Sequence, residues 1–98
     1  MAVTLINVFS VPKGNEDEFV KLWEGIKTSI TKEPGFIRGK FHRSLKPDSH
    51  YNFINVALWE NEEGYWKAYE RNAAPMKTKL HQMGVEMTPA LYNVIYEY

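Results

Sequence analysis

Residues 53–66 read FINVALWENEEGYW, and the fold turns on them. Residues 53–59 are rich in β-branched and aromatic side chains, as a strand is. Asn61 then has the character of a helix N-cap, with Glu62 and Glu63 in the first turn behind it. Along a strand, side chains alternate between faces. Phe53, Asn55, Ala57 and Trp59 therefore share one row, and Ile54, Val56 and Leu58 share the other. Both rows are largely apolar. An antiparallel sheet with one wet face alternates apolar with polar, so this strand has both faces covered. A single amide, Asn55, stands inside it.

Working outward, residues 3–11, VTLINVFSV, read as a first strand that Pro12-Lys13-Gly14 ends. Asn15 with Glu18 has the capping-box spacing. Phe19, Leu22, Trp23, Ile26 and Ile30 follow at helical spacing, and Pro34-Gly35 stops that helix. A second strand runs from about Phe36 to Leu45. Lys46-Pro47-Asp48-Ser49 turns the chain into a third, from about Tyr51 to Trp59. In the second helix Tyr65, Tyr69, Asn72, Ala73, Met76, Leu80 and Met83 lie on one side. Pro75 predicts a break near Asn72–Pro75, a second short helix to about Met83, and a stop at Gly84. Residues 89–98, PALYNVIYEY, are the expected last strand.

The order β-α-β-β-α-β is a single α+β domain over residues 1–98. It is ferredoxin-like, a four-stranded antiparallel sheet with helices on one face. The second apolar face needs a cover that this chain does not contain, and a second copy supplies it. A homodimer packed sheet to sheet is expected.

Composition narrows the function classes. Lys and Arg number 12, as do Asp and Glu, and the formal net charge is +0. There is no basic stripe, which argues against nucleic acid and anionic membrane as partners. The absence of cysteine excludes disulfides, a zinc–thiolate site and a cysteine nucleophile. No apolar run is long enough to span a bilayer, and the N-terminal strand lacks the flanks of a signal peptide, so the expected setting is cytoplasmic. There is no glycine-rich phosphate loop, HExxH or GxSxG. His42, His50 and His81 lack partners at metal-ligand spacing, so no metal site is expected.

Asn55 and Trp59, four apart on a strand, point to the same side, and Tyr65 follows in the first turn of the next helix. Asn7 adds a second amide in the row Leu5, Asn7, Phe9, Val11 of the first strand. In this topology the first and third strands are central neighbours. Spacing leaves two readings open. Either these polar groups satisfy one another in a core, or they line a pocket between sheet and helices.

PGF at 34–36, HRS at 42–44, FINVALWENEEGYWKAY at 53–69 and PALY at 89–92 resemble the antibiotic biosynthesis monooxygenase family over nearly the whole chain. The resemblance implies a dimeric α/β barrel of ferredoxin-like subunits. It also implies oxidation of a small or polycyclic phenol to a quinone by O2, with no cofactor. Asn55, Trp59 and Tyr65 match the family's pocket pattern and become the implied catalytic residues. Asn7, Phe9, Trp23, Trp66, Tyr69 and His81 are the candidate substrate-binding residues, with Lys79 or His81 as the basic partner. Haem-degrading enzymes of the same family give a second reading, with haem as substrate. There Asn7 matches the strand-one Asn, but Trp66 and His81 are displaced by two and three residues from the aligned positions, Ala68 and Thr78. A small-molecule-binding protein without turnover is the third.

Overall fold

A computed structural model describes residues 1–98. The elements are β1 (Val3–Ser10), α1 (Glu16–Ile30), β2 (Phe36–Arg43), β3 (Phe53–Trp59), α2 (Glu62–Asn72), a 3-10 turn (Ala74–Met76), α3 (Lys77–Gln82) and β4 (Glu86–Tyr92). The strands lie in the order β2-β3-β1-β4 and every neighbouring pair is antiparallel. This is the expected ferredoxin-like topology, with β1 and β3 at the centre.

The helix break falls where Pro75 puts it, because its ring cannot continue an α-helix. Gly84 ends α3 with φ +75, and a Cβ there would meet Pro12 Cγ at 2.9 Å. Asn61 caps α2 through a bond from the Gly64 N–H, 2.8 Å.

Three local expectations are corrected. Asn15 does not cap α1 with its side chain. Its amide instead donates to the Met83 carbonyl at 2.8 Å, tying the start of α1 to the α3–β4 turn. The hairpin strands are also shorter than expected, ending at Arg43 and beginning at Phe53. Asn52, buried in the connection, gives its side-chain amide to the main chain of Val11. Finally, β4 ends at Tyr92. Its partner β1 runs antiparallel and begins at Val3, so after the Thr4–Tyr92 pair β1 is nearly exhausted. Residues 93–98 lie outside the sheet and are exposed. Pro89 is tolerated within β4 because β4 is an edge strand.

The helices cover one face. Against it pack the alternate residues Leu5, Asn7 and Phe9 of β1 and Phe53, Asn55, Ala57 and Trp59 of β3, all buried. Ile6, Val8, Ile54, Val56 and Leu58 face the other way and are half-buried, with no layer of this chain above them. Beneath the helices the core divides in two. One cluster gathers Phe9, Phe19, Phe53, Leu80, Met83 and Val85. The other gathers Leu5, Ile30, Ala57, Trp59, Tyr65 and Ala68. The boundary is polar: in the sheet register Asn7 sits directly opposite Asn55.

Candidate active site

The Asn7–Asn55 pair begins the site. Directly opposed residues on one face of an antiparallel pair lie about 5 Å apart at Cβ. Both amides are buried, Asn7 at 6% and Asn55 at 7% exposure. Nevertheless Asn7 Oδ1 has no hydrogen-bond partner, and neither does the indole Nε1 of Trp59, which is fully buried. An unpaired buried polar atom costs about 1–3 kcal/mol. Native interiors seldom carry one without a use for it.

Beside Asn55 there is open space. A cavity of 330 Å³ lies between α1 and the β2–β3 half of the sheet. Its floor is Leu5, Asn55, Ala57 and Trp59. α1 and the Thr31 that follows it supply Trp23, Lys27, Ile30 and Thr31, a stripe at helical spacing, and β2 contributes Phe36, Ile37, Arg38, Gly39 and Phe41 to the lining. Space exists because two opposed positions are small. Gly39 pairs with Ala57, and a Cβ on Gly39 would sit 3.2 Å from the Ala57 Cβ. Aromatic walls close both ends. Trp23 stacks on Phe41 with centroids 4.5 Å apart, and Phe36 meets Trp59 edge-on at 5.4 Å.

Of the expected catalytic residues, Asn55 and Trp59 line this cavity together. Tyr65 does not line it. It is buried behind Trp59, ring against ring at 5.5 Å and 75°. Burial holds its phenol well above the ordinary value of 10, with a smaller contribution from Tyr69. Tyr65 can therefore donate a hydrogen bond but is not poised to accept a proton at neutral pH.

The expected binding residues scatter. Trp23 lines the cavity. Phe9 belongs to the neighbouring cluster and touches Trp23 and Phe41 edge-on. Tyr69 packs on the Trp59 cluster, and Trp66 is partly exposed on α2, its indole donating to Glu62 at 3.3 Å. Lys79 lies 3.9 Å from Glu18 on the surface. His81 lines a separate groove of 630 Å³ between α3 and β4, open to solvent. That groove is larger, but it contains none of the unpaired buried atoms. Asn7, Trp66 and His81, the residues of the haem reading, do not share a cavity. No cluster of three or more His, Cys, Asp or Glu side chains forms that could hold a metal ion.

Sequence reasoning missed the wall from Phe36 to Phe41, and Lys27, Ile30 and Thr31 at the end of α1, as site residues. A signal was present: a glycine inside a strand marks close approach or open space, and Gly39 is such a residue.

Residues 2–77 match the family model described as antibiotic biosynthesis monooxygenase. No curated protein matches the sequence. Among solved structures, a candidate monooxygenase from Shewanella loihica PV-4 is 33% identical, with 98% of this chain and 96% of that one covered and a TM-score of 0.81. SnoaB, a cofactor-independent oxygenase from Streptomyces nogalater, is 23% identical over 98% and 95% of the two chains, with a TM-score of 0.79. A chain from Deinococcus radiodurans, also named for antibiotic biosynthesis monooxygenase, is 13% identical over 100% and 96%, with a TM-score of 0.79. At the identities of the last two, the likeness is one of fold.

Proposed function

Because this chain belongs to the antibiotic biosynthesis monooxygenase family, we propose that it oxidises a phenolic substrate with O2, without a cofactor, in the cavity between α1 and β2–β3. The observation that carries this reading is the Trp59 indole N–H. It is buried and unpartnered, on a ring that forms part of the wall of a largely apolar cavity beside Asn55. A phenol oxygen placed there receives donors from both groups. Those bonds strengthen as the phenol ionises, which is how fixed donors favour a developing anion.

An electron-rich phenolate reduces O2 directly, so the protein's task is to orient and to stabilise charge. One oxygen atom enters the ring carbon para to the hydroxyl, and the two hydrogens lost leave with the other atom as water. The balance is phenol plus O2 to quinone plus water, and no external reductant is needed. Tyr65, neutral behind Trp59, sets the indole plane. SnoaB is described as a cofactor-independent oxygenase, which favours the same class here.

The working unit in this proposal is a two-fold homodimer. It is supported by the uncovered apolar face of β1 and β3, and by Val94, Ile95, Tyr96 and Tyr98 standing exposed beyond β4. Sedimentation at micromolar concentration should give a dimer, and a monomer would overturn that part.

The activity is tested in an oxygen electrode with metal-free protein and a panel of naphthols and anthrones whose position para to the hydroxyl is free. Uptake of one O2 per quinone formed, slowed by Trp59→Phe, is the expected result. Ligand binding without oxygen uptake across the panel would make the protein a binder and end the enzymatic reading.

A further inference from the structure

The uncovered face of the sheet has two unlike edges. The strand register sets them row against row, with β3 and β1 between. On the β2 edge this face carries Arg38, Lys40 and His42, all exposed. None of the three belongs to an ion pair of the chain. In the same three rows the β4 edge carries Tyr92, Ala90 and Thr88, and Glu86 follows in the next. One edge is a basic column, and the other has no base at all.

Two aligned sheets packed face to face by a two-fold axis have two choices of axis. An axis across the strands lays each edge on its own copy. Arg38, Lys40 and His42 would then meet the same column of the partner, and like charges brought together in an interface are unfavourable. An axis along the strands lays β2 of each protomer on β4 of the other, and β3 on β1. The basic column then meets no other base. Lys40 falls on Ala90 of the partner subunit, the smallest side chain of its column.

Shape selects the same axis. A hollow of 390 Å³ opens on this face between Arg38 and Lys40 of β2 and Val56 and Leu58 of β3, with Thr4 at one end. Tyr92, in the Arg38 row at the opposite edge, is 50% exposed, a large aromatic ring with no cover from its own chain. An axis along the strands brings Tyr92 of the partner subunit to that hollow, beside the Arg38 guanidinium, a pairing that aromatic faces favour. An axis across the strands carries it to the Glu86 end of β4 instead, away from the hollow.

We propose that two copies of the chain pack with the two-fold axis along the strands, Tyr92 of each filling the hollow beside Arg38 of the other. The inference rests on the homodimer reading and deepens it; it is independent of the chemistry in the cavity.

The chain has no cysteine, so introduced ones report without background. Lys40→Cys and Ala90→Cys are made singly and together and treated with a short bis-maleimide at micromolar protein. The double variant should cross-link into a dimer, and neither single variant should. Cross-linking of a single variant to itself overturns the arrangement, as does a double variant that sediments as a dimer and gives no product. Sedimentation of the wild type as a monomer overturns the homodimer, and the arrangement with it. Tyr92→Ala should raise the dimer dissociation constant about tenfold or more, the scale of a buried aromatic anchor. An unchanged constant would remove Tyr92 from the hollow. The cross-linking arm leaves Tyr92 in place, so it decides the axis even if that variant folds poorly.

Discussion

The core has two halves, and each contains a buried amide. In the half around Phe9, Phe19 and Phe53, the aromatic rings pack at 5.1 Å. There the amide Asn52 is engaged twice, accepting from the Val11 N–H and donating to the Val11 carbonyl, both at 2.9 Å. In the half around Trp59 there is a 330 Å³ cavity, Asn55 faces it, and the indole above goes unpartnered. Residue type and burial are nearly the same, at 6% exposure for Asn52 and 7% for Asn55. Their partners differ. An amide that completes main-chain bonds holds structure, and one left facing space is available to a ligand.

Substituting each amide in turn should pull the two roles apart, and this is the largest effect expected. If Asn55 is the proposed donor to the substrate oxygen, Asn55→Ala removes it, and kcat/KM for phenol oxidation should fall about 10²-fold. Its melting temperature should stay close to that of the wild type. Asn52→Ala should do the reverse. It leaves the Val11 N–H and carbonyl buried and unpaired, costing about 1–3 kcal/mol, while turnover of the folded protein changes little. Thermal melts and initial rates on both variants decide the matter. If both lose stability equally and neither changes rate specifically, the division of the core into packed and working halves is wrong.

Filling the cavity is the next test. Gly39→Val would add side-chain atoms where a Cβ alone comes within 3.2 Å of Ala57. Ligand affinity should fall at least about tenfold, since overpacking forces the neighbours to shift. The Phe9–Phe19–Phe53 half should retain its packing, read from near-ultraviolet dichroism. Unchanged binding in Gly39→Val would place the ligand elsewhere, and the α3–β4 groove would become the site to examine.

Much of this was legible in the sequence. The element order, the central β1–β3 pair, the break at Pro75 and the shared row of Asn55 and Trp59 all follow from local rules. Those rules are alternation, capping at Asn61 and the geometry of proline. Three features depend on register and were not legible. The end of β4 is set by where β1 begins, not by PALYNVIYEY itself. Asn15 and Asn52 bond across sequence separations of 68 and 41, so their local spacing said nothing of their partners. Phase misled for Tyr65: six residues after Trp59 it reaches the same cluster, but on the far side of the indole. The wall formed by β2 was hidden by its surface-like composition, because an edge strand bearing Arg38 and Lys40 does not look like a binding site.

Tyr65 gives the smallest and most discriminating test. Standing behind Trp59, it belongs to the working half by contact but not by exposure to the cavity. Desolvation raises its phenol pKa in the folded state above the ordinary value of 10. When the pKa of the folded form is the higher one, the unfolded chain loses its proton first as pH rises. Stability from this group is therefore intact below pH 10 and falls as pH climbs toward the raised value. Tyr65→Phe removes that linkage. The variant should unfold less readily than the wild type above pH 10, with the two melting profiles converging in their pH dependence below it. Its turnover near pH 7 should change by no more than about fivefold, because the ring that orients Trp59 remains. A much larger loss, on the scale of about 10²-fold that general acid–base catalysis supplies, would mean that the hydroxyl reaches the substrate. Trp59 would then be a door rather than a wall.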